Sequence, residues 1–318
     1  MYIRKKILFL LPLIFSLSVL SSDIEEIIVK GEYREKSLGE EDSSIAVIQS
    51  EQIKSQAIKH FQQLSHLVPN LNYAASDSRA RYFQIRGIGE RSGYQGTPNS
   101  SVGFLIDDID YSGQGGIATL FDVDQVEVFR GPQGSRSGAN ALAGLIYIKT
   151  KDPTEKFEGI SELTLGDYGT QNIGIAFGGP MQNKKLKYRL VLRTDYADGF
   201  RKNIYLNKSD TSKKDELTLR YKLNWELNET TNLDFLVSKV DMDDPADIWT
   251  IDGSLNTLSD RPGMDSQNTN SYGIKITKDF SNFIVQSLTS ATKTDVIFSY
   301  DADSVSYTHL RAHETLSH

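Results

Sequence analysis

A strict alternation of apolar and polar residues in the second half of the chain limits the possible folds more than any other feature. Every second residue of 217–227 is apolar, and 186–193 repeats the pattern with Val191 as its one exception. Successive side chains of a strand point to opposite faces, so each run places one face in an apolar medium. A soluble β-sandwich also shows this pattern, but a tilted strand of about 9–11 residues is what crossing a bilayer requires. The alternation predicts a mainly β chain and favours a membrane barrel.

The connections between the predicted strands differ in length in a regular way. Strands are predicted at 157–165, 173–178, 186–196, 217–227, 233–240 and 272–280. Tight turns follow the second, fourth and sixth strands, whereas long polar loops follow the third and the fifth, the longest of them through Asn270. Short periplasmic turns and longer outer loops are typical of outer-membrane barrels. The acidic stretch from Asp241 to Asp247 is therefore expected in an outer loop.

The first 22 residues have the pattern of a secretory signal. A basic start at 4–6, an apolar run at 7–20 and a small-residue exit at 21–22 are its three parts. The apolar run falls short of the ~20 residues that a spanning helix needs. The chain has no cysteine, which excludes disulfides and thiolate metal sites, and its net charge of −7 argues against a nucleic-acid partner.

A compact domain is predicted to begin near residue 45. Residues 45–49 have strand character, and a short helix is predicted from Ser50. Apolar residues at 61, 64, 67 and 68 have helical spacing, and Pro69 ends the run. We interpret His60 and His66 as solvated or capping histidines, because neither has a second ligand at metal-binding spacing.

A glycine-rich stretch, residues 122–150, follows in the same domain. Two β-prone runs, 126–129 and 145–148, flank its connector. The connector contains Gly131, Pro132, Gly134 and Gly138. Glycine permits positive φ and proline sets a turn, so a strand, an irregular loop and a second strand are predicted. A phosphate-binding loop is the alternative, but it requires a Gly-Lys-Ser/Thr sequence that the connector lacks.

The sequences VEVFRGPQG and GANALAGLIYIKTK, within residues 126–151, resemble the end of the plug domain of TonB-dependent outer-membrane receptors. The family pattern is I-E-V-x-R-G-P-x-G, then a small-residue loop and G-G-x-I-N-I-x-T-K. Upstream, IRGIG, which contains Gly87, resembles the family's I-R-G-F-G, and FLIDDIDY resembles V-L-I-D-G-V-P-V. Among the departures of the chain from these patterns are Asp108 for Gly, Arg136-Ser137 for the commoner Leu-Tyr, Ala143 for Gly and Tyr147 for Asn.

The resemblance implies a fold class that is mainly β, with an N-terminal α+β plug domain followed by the first strands of a transmembrane antiparallel β-barrel. It divides the chain into a signal peptide (1–22), a TonB box and flexible linker (23–44), a plug (45–152), an incomplete barrel (153–303) and an atypical tail (304–318).

The length of the chain does not accommodate a whole barrel of this class. About 22 strands of about ten residues need roughly 220 residues, whereas 168 residues follow Thr150. The chain is therefore expected to be a fragment. Its tail holds His309, His313 and His318, and we interpret the tail as foreign or out-of-frame sequence, with a metal-binding tail as the alternative.

The resemblance also implies how the N-terminal linker functions. The residues that resemble the TonB box are Glu26, Ile27, Ile28 and Val29. In the family this box adds as a strand to the periplasmic protein TonB, so that backbone hydrogen bonds supply the affinity. Composition alone would make the same residues a solvated linker.

Further roles are implied for residues of the plug. Arg86 and Arg130 match the two family arginines that latch the plug to barrel glutamates, and an arginine inside a barrel does need a carboxylate. The glutamates are expected from later strands and have no assigned position in this chain. The plug loops expected to face the ligand contain Arg91, Tyr94, Gln95 and Gln114.

The function implied by the resemblance is import of a scarce ligand across the outer membrane of a Gram-negative cell. Ferric siderophores are the family's commonest cargo, although haem, cobalamin and glycans use the same plug. Ligand binding outside is implied to expose the box to TonB, and the proton-motive force then remodels the plug. No enzymatic activity, cofactor or metal is expected, and outer-membrane lipid is the surrounding medium.

Three alternatives remain beside this function. The first is an exported soluble β-rich adhesin or glycan-binding protein, which would have no aromatic girdles. The second is a non-functional truncated receptor fragment. The third is a hydrolase that uses Asp107 and Asp108, but adjacent residues of a turn point apart and make a poor acid–base pair.

Overall fold

The computed structural model describes residues 26–34, 36–75, 79–92, 99–137, 140–182, 184–250 and 252–301. The predicted signal peptide and the tail with its three histidines lie outside these ranges. None of the helices in the described ranges has the length and apolarity required of a membrane span. Two β-rich units follow each other along the chain.

The N-terminal unit is built around a five-stranded sheet. The strands of this unit are β1 (Ile28–Val29), β2 (Lys36–Ser37), β3 (Ile45–Gln49), β4 (Leu71–Ala75), β5 (Ala80–Ile85), β6 (Val102–Ile106), β7 (Ile109–Asp110), β8 (Val123–Arg130) and β9 (Gly144–Thr150). Its α-helices are α1 (Ser50–Ser55) and α2 (Gly134–Ser137), and 3₁₀ turns cover Leu38–Glu40, Phe61–Leu67 and Gly115–Ile117.

Strand β8 is an interior strand of this sheet, whose order is β3-β8-β9-β6-β7. It pairs antiparallel with both β3 and β9, and β9 pairs parallel with β6. Both glycine-flanked runs of the sequence are therefore strands, as predicted, and their connector contains the one-turn helix α2. Hairpins β4–β5 and β1–β2 stand beside the main sheet.

Three aromatic rings form the centre of the N-terminal core. Phe61 meets Phe83 and Phe104 edge-on, with ring centroids 5.0 and 5.4 Å away, and the latter two rings stack at 5.4 Å. The helical spacing around Phe61 was correctly predicted, although the helix is 3₁₀ rather than α.

His60 caps that helix from a buried position. Its Nδ1 accepts from the backbone N–H of Gln62 at 3.4 Å, and its Nε2 lies 2.9 Å from the carbonyl oxygen of Gly116. Nε2 is therefore the protonated donor of a neutral ring. The capping interpretation is confirmed and the solvated one is wrong for His60, whereas His66 is exposed.

The C-terminal unit is one antiparallel sheet of seven strands, here called the wall. Its strands, in spatial order, are β10 (Glu158–Leu165), β11 (Gln171–Pro180), β12 (Leu186–Ala197), β14 (Lys214–Asn228), β15 (Thr231–Ala246), β17 (Gly263–Phe280) and β18 (Phe283–Ser299). Two short strands, β13 (Lys202–Asn203) and β16 (Asn256–Thr257), pair parallel outside it. We call the end with the tight turns at 181–185, 229–230 and 281–282 the turn end, and the other the loop end.

Six of the seven wall strands lie where the sequence predicted strands, although several are longer, and β18 was not among the predicted strands. Strand β15 has 16 residues and β17 has 18. The long loop predicted from 241 to 270 is wrong in extent, because β15 continues to Ala246 and β17 begins at Gly263. Asp244 explains the extension, since its buried carboxylate accepts from Lys214 Nζ and from the Asp215 N–H, each at 2.8 Å.

Burial across the wall is the reverse of that in a soluble protein. In β12 the buried side chains are Lys187, Arg189, Val191 and Arg193, and in β14 they are Thr218, Arg220 and Lys222. Apolar residues of the same strands, such as Leu190, Leu219 and Trp225, are exposed by about 40%. The polar face therefore covers the N-terminal unit and the apolar face points outward.

Aromatic side chains collect on the outer face near the turn end. They are Phe157, Phe177, Tyr188, Trp225, Phe280 and Phe283. Phe177 contacts Phe157 and Tyr188 across neighbouring strands, with ring centroids 6.5 and 6.4 Å apart. Such a girdle is typical of the membrane interface of barrels. No such girdle is expected of a soluble adhesin, so this arrangement favours the barrel.

Candidate functional site

The segment that resembles a TonB box is docked as a strand on the N-terminal unit. Ile28 and Val29 pair with Ser37 and Lys36, and Val29 is fully buried. The carbonyl oxygen of Ile28 accepts from the Gln125 side chain at 2.8 Å. Most of the predicted box thus has intramolecular partners, whereas Glu26, its first residue, is exposed.

Glu127 of the interior strand β8 binds the residues that follow the box. Its Oε1 accepts from the backbone N–H of Lys30 at 2.6 Å and its Oε2 from that of Gly31 at 2.8 Å. Burial raises the pKa of Glu127, while the two backbone donors favour its charged form. Lys30 also reaches Asp124 at 2.6 Å, so the segment is bound to β8 by charge as well as by backbone.

The most buried ion pair between the two units joins Asp122, the residue just before β8, to Arg189 of the wall. Asp122 accepts from Arg189 Nε at 2.7 Å and from its Nη2 at 2.5 Å, and the two side chains are 1% and 3% exposed. Arg220 Nη2 donates to the backbone oxygen of Asp122 at 3.2 Å. Two wall arginines thus bind one residue of the N-terminal unit.

Beside this ion pair, the side chain of Phe121 projects from the N-terminal unit onto the wall. Phe121 packs on Ala176 and Val191. A Cβ atom at Gly174 would lie 2.7 Å from the Phe121 ring, so only glycine leaves room for it. Val191, the exception in the alternation, therefore faces Phe121 rather than an aqueous lumen.

The adjacent acids Asp107 and Asp108 occupy the β6–β7 turn, both with positive φ. Asp107 accepts from the Thr150 N–H at 3.0 Å and from Lys222 Nζ at 2.9 Å. Asp108 pairs with Arg136 and, at 3.3 Å, with Lys275. Burial opposes ionisation of Asp108, but Lys275 and Arg136 outweigh it and lower its pKa. Both acids are neutralised by cations, which suits a structural role and not acid–base catalysis.

Two further ion pairs join the units nearer the loop end. Arg79 binds Glu216 through two bonds of 2.6 and 2.9 Å, and Arg81 binds Asp265. These partners were not identified from the sequence. The available signal was the alternation itself, because it places Glu216 on the same face of β14 as the buried Arg220 and Lys222.

The predicted latch arginines make no such pair among the described residues. Arg86 is exposed, with a φ of 55°. Arg130 is half-buried and donates from Nη2 to the Ile45 carbonyl at 3.4 Å. Their pairing with glutamates of later strands stays a prediction.

Two of the four residues predicted to face the ligand lie within the described ranges. Arg91 is exposed, and Gln114 accepts from Thr294 of the wall at 2.7 Å. Tyr94 and Gln95 lie outside the described residues, as does Gly138 of the glycine motif. Of the other motif residues, Gly87 and Gly131 have φ of 82° and 148°, Pro132 is exposed and Gly134 begins α2.

A polar cavity of about 730 Å³ separates the units at the turn end. Its lining includes Lys30, Asp108, Asp152, Lys222 and Lys275. Lys222 is shared between Asp107 and Asp152, at 2.9 and 3.0 Å, so the lining charges are paired with one another. Among the described residues, no group of three or more His, Cys, Asp or Glu side chains could hold a metal ion.

Comparisons with known proteins agree with this architecture. The TonB-dependent Receptor Plug Domain family matches residues 37–145. The pesticin receptor of Yersinia pestis is 25% identical over 192 residues, 60% of this chain and 28% of that receptor. The vitamin B12 transporter BtuB of Vibrio vulnificus is 25% identical over 158 residues, 46% of this chain and 26% of the transporter.

A solved structure shows the same fold. The ferric yersiniabactin uptake receptor FyuA from Yersinia pestis superposes with a TM-score of 0.72 and 19% identity, covering 81% of this chain and 42% of that one. The chain thus spans less than half the length of each of these three relatives.

Proposed function

We propose that the chain, whose residues 37–145 match the TonB-dependent Receptor Plug Domain family, is a TonB-dependent receptor that imports a scarce ligand across the outer membrane. Ferric siderophores are the proposed cargo class, and TonB, driven by the proton-motive force, is the proposed energy source. The N-terminal unit acts as the plug and the wall as part of the barrel around it.

The reversed burial of the wall is the observation that carries this proposal. A sheet with charged residues buried and aliphatic residues exposed has its lowest free energy when hydrocarbon contacts the outer face. In water the exposed face would be a large apolar patch and a site of aggregation. The aromatic girdle at the turn end supports the same placement, with the turns toward the periplasm.

The position of the box supports coupling to TonB. Lys30, directly after the box, lines the same cavity as Asn228, Glu229 and Thr230 of a tight turn. The box is therefore at the turn end, which is the periplasmic end of such barrels. A periplasmic partner would reach Glu26–Val29 without crossing the plug.

The choice of cargo rests on relatives. FyuA takes up ferric yersiniabactin by its name, whereas BtuB is named for vitamin B12. We propose a ferric siderophore because FyuA, whose solved structure has the same fold, is by its name an uptake receptor for ferric yersiniabactin, a siderophore.

Uptake by cells that carry or lack the intact gene tests the proposal. We expect loss of the gene to abolish uptake of radioiron supplied as the organism's siderophores, and to leave cobalt-labelled cyanocobalamin uptake unchanged. The variant Ile28→Pro removes the backbone N–H of a box residue and should stop uptake while surface binding persists. Ile28→Val is the matched control. Cyanocobalamin uptake lost in place of iron uptake would overturn the cargo, and full uptake by Ile28→Pro would overturn the coupling.

A further inference from the structure

Two of the departures from the plug pattern contact each other. Asp108 stands where the pattern has Gly, and Arg136 stands where Leu is commoner. Their side chains form an ion pair and are only 13% and 9% exposed. Asp108 offers its other oxygen to Lys275 of the wall at 3.3 Å, so the carboxylate is oriented from both sides.

Arg136 uses its remaining contacts to hold the segment after the box. Its Nε donates to the carbonyl oxygen of Gly31 at 2.7 Å, and its guanidinium lies 4.7 Å from the centre of the Tyr33 ring. Glu127 accepts from the N–H of the same glycine. Gly31 is thus bound through both of its backbone groups.

Close packing at Gly31 makes this contact specific. A Cβ atom there would lie 2.7 Å from Glu127 Oε2 and 2.8 Å from the Phe129 ring. Any larger residue would force the segment away from β8. The docked position therefore depends on glycine as well as on the two charged side chains.

The docked segment cannot at the same time add as a strand to another protein. Strand addition requires free backbone groups. The carbonyl oxygen of Ile27 accepts from the Leu38 N–H at 2.8 Å and that of Ile28 from Gln125. Partner binding must therefore follow release of the segment, and release breaks the Arg136 contacts.

We propose that Arg136, oriented by Asp108, is a positioning residue that keeps the box segment docked and so controls its access to the periplasmic partner. The inference deepens the proposed function and rests on its assignment of the box. Arg136 acts on the backbone at Gly31 and does not touch the box residues themselves. Its effect is therefore on the docked population and not on the partner's affinity for a free box.

A single introduced cysteine measures the docked population, because the chain contains none. We would place it by Ile27→Cys in the full chain, refolded in detergent, and follow maleimide labelling without any partner. Arg136→Leu, which restores the commoner family residue, should label at least about tenfold faster, since it loses a charge-assisted hydrogen bond. Arg34→Leu changes an exposed arginine of the same segment and should label at the parent rate.

A double variant tests the pairing of the two departures. Asp108→Gly suits the positive φ of that position and should raise the labelling rate less than Arg136→Leu. The double variant Asp108→Gly/Arg136→Leu should label no faster than Arg136→Leu alone. A rate equal to the product of the two single effects would show that Asp108 does not act through Arg136 and would overturn this part.

A second variant and a partner readout complete the test. Gly31→Ala places a methyl group against Glu127 and the Phe129 ring, which should displace the segment and also speed labelling. A parent rate for Arg136→Leu would overturn the inference, and faster labelling of Gly31→Ala would show that the assay detects release of the segment. The purified periplasmic domain of TonB then serves as a separate probe. If labelling rises but that domain does not crosslink to Cys at position 27, the docking role stands and the box assignment of the proposed function falls.

Discussion

The variant Asp122→Asn removes the negative charge from the most buried ion pair between plug and wall. Asp122 has a φ of 59°, a conformation that asparagine adopts as readily as aspartate, so the backbone is not strained. The change leaves Arg189 buried with an amide in place of its carboxylate. One of the two Arg189 N–H groups that bind residue 122 then faces an N–H₂ group, which cannot accept a hydrogen bond.

The cost of this change follows from the geometry of the pair. Removing one partner of a buried ion pair typically costs about 3–5 kcal/mol, because the other charge is left uncompensated. Arg189 retains Glu158 at 3.2 Å, but that carboxylate is half exposed. We therefore expect the lower end, about 3 kcal/mol. With an m-value of about 3 kcal/mol per molar urea, the unfolding midpoint should fall by about 1 M.

Urea unfolding of the refolded chain in detergent measures the midpoint, and amide hydrogen exchange in β8 reports on the plug. The matched control is Asp295→Asn, because Asp295 faces Lys293 at 3.9 Å with both side chains more than 70% exposed. An exposed pair contributes little, so a shift below about 0.3 M is expected. Equal shifts for the two variants would refute the assignment of Asp122 as the plug's contact with the wall.

Three further predictions concern the plug surface, its core and the membrane. Gly174→Val should destabilise the chain by about 1–3 kcal/mol, because the new side chain overlaps the Phe121 ring. The double variant Gly174→Val/Phe121→Ala should lose less stability than the two single variants together, and strict additivity would contradict the contact. Burial is the main cause of the lowered pKa of His60, and the nearby Arg79 lowers it further. The unfolded chain therefore binds a proton at this residue at a higher pH than the folded chain does. Unfolding should therefore become easier between about pH 7 and 5, and His60→Asn, which keeps a cap acceptor, should lose this dependence; an unchanged dependence would contradict it. Brominated lipid should quench Trp225 and spare Trp249, as measured in single-tryptophan variants, and quenching of Trp249 alone would reverse the assignment of the membrane face.

Much of the fold could be predicted from periodicity. The alternation of 217–227 located β14 and correctly separated the two faces of the wall, because side-chain direction in a strand depends only on residue parity. The plug strands were predicted from β-prone runs and the helix at Phe61 from helical spacing, which are also local properties. Strand ends were less predictable, since the extension of β15 depends on Asp244 meeting Lys214, a residue of another strand.

The sequence by itself determined which residues share a face and where the plug pattern lies, since both are properties of neighbouring positions. Only the tertiary structure decided which charges meet. Arg136 and Asp108 are 28 positions apart, and Asp122 and Arg189 are 67 apart. No local pattern encodes such pairs. A buried charge must find its partner wherever the packing of plug on wall brings one within reach, because leaving it unpaired costs more free energy than most single contacts supply.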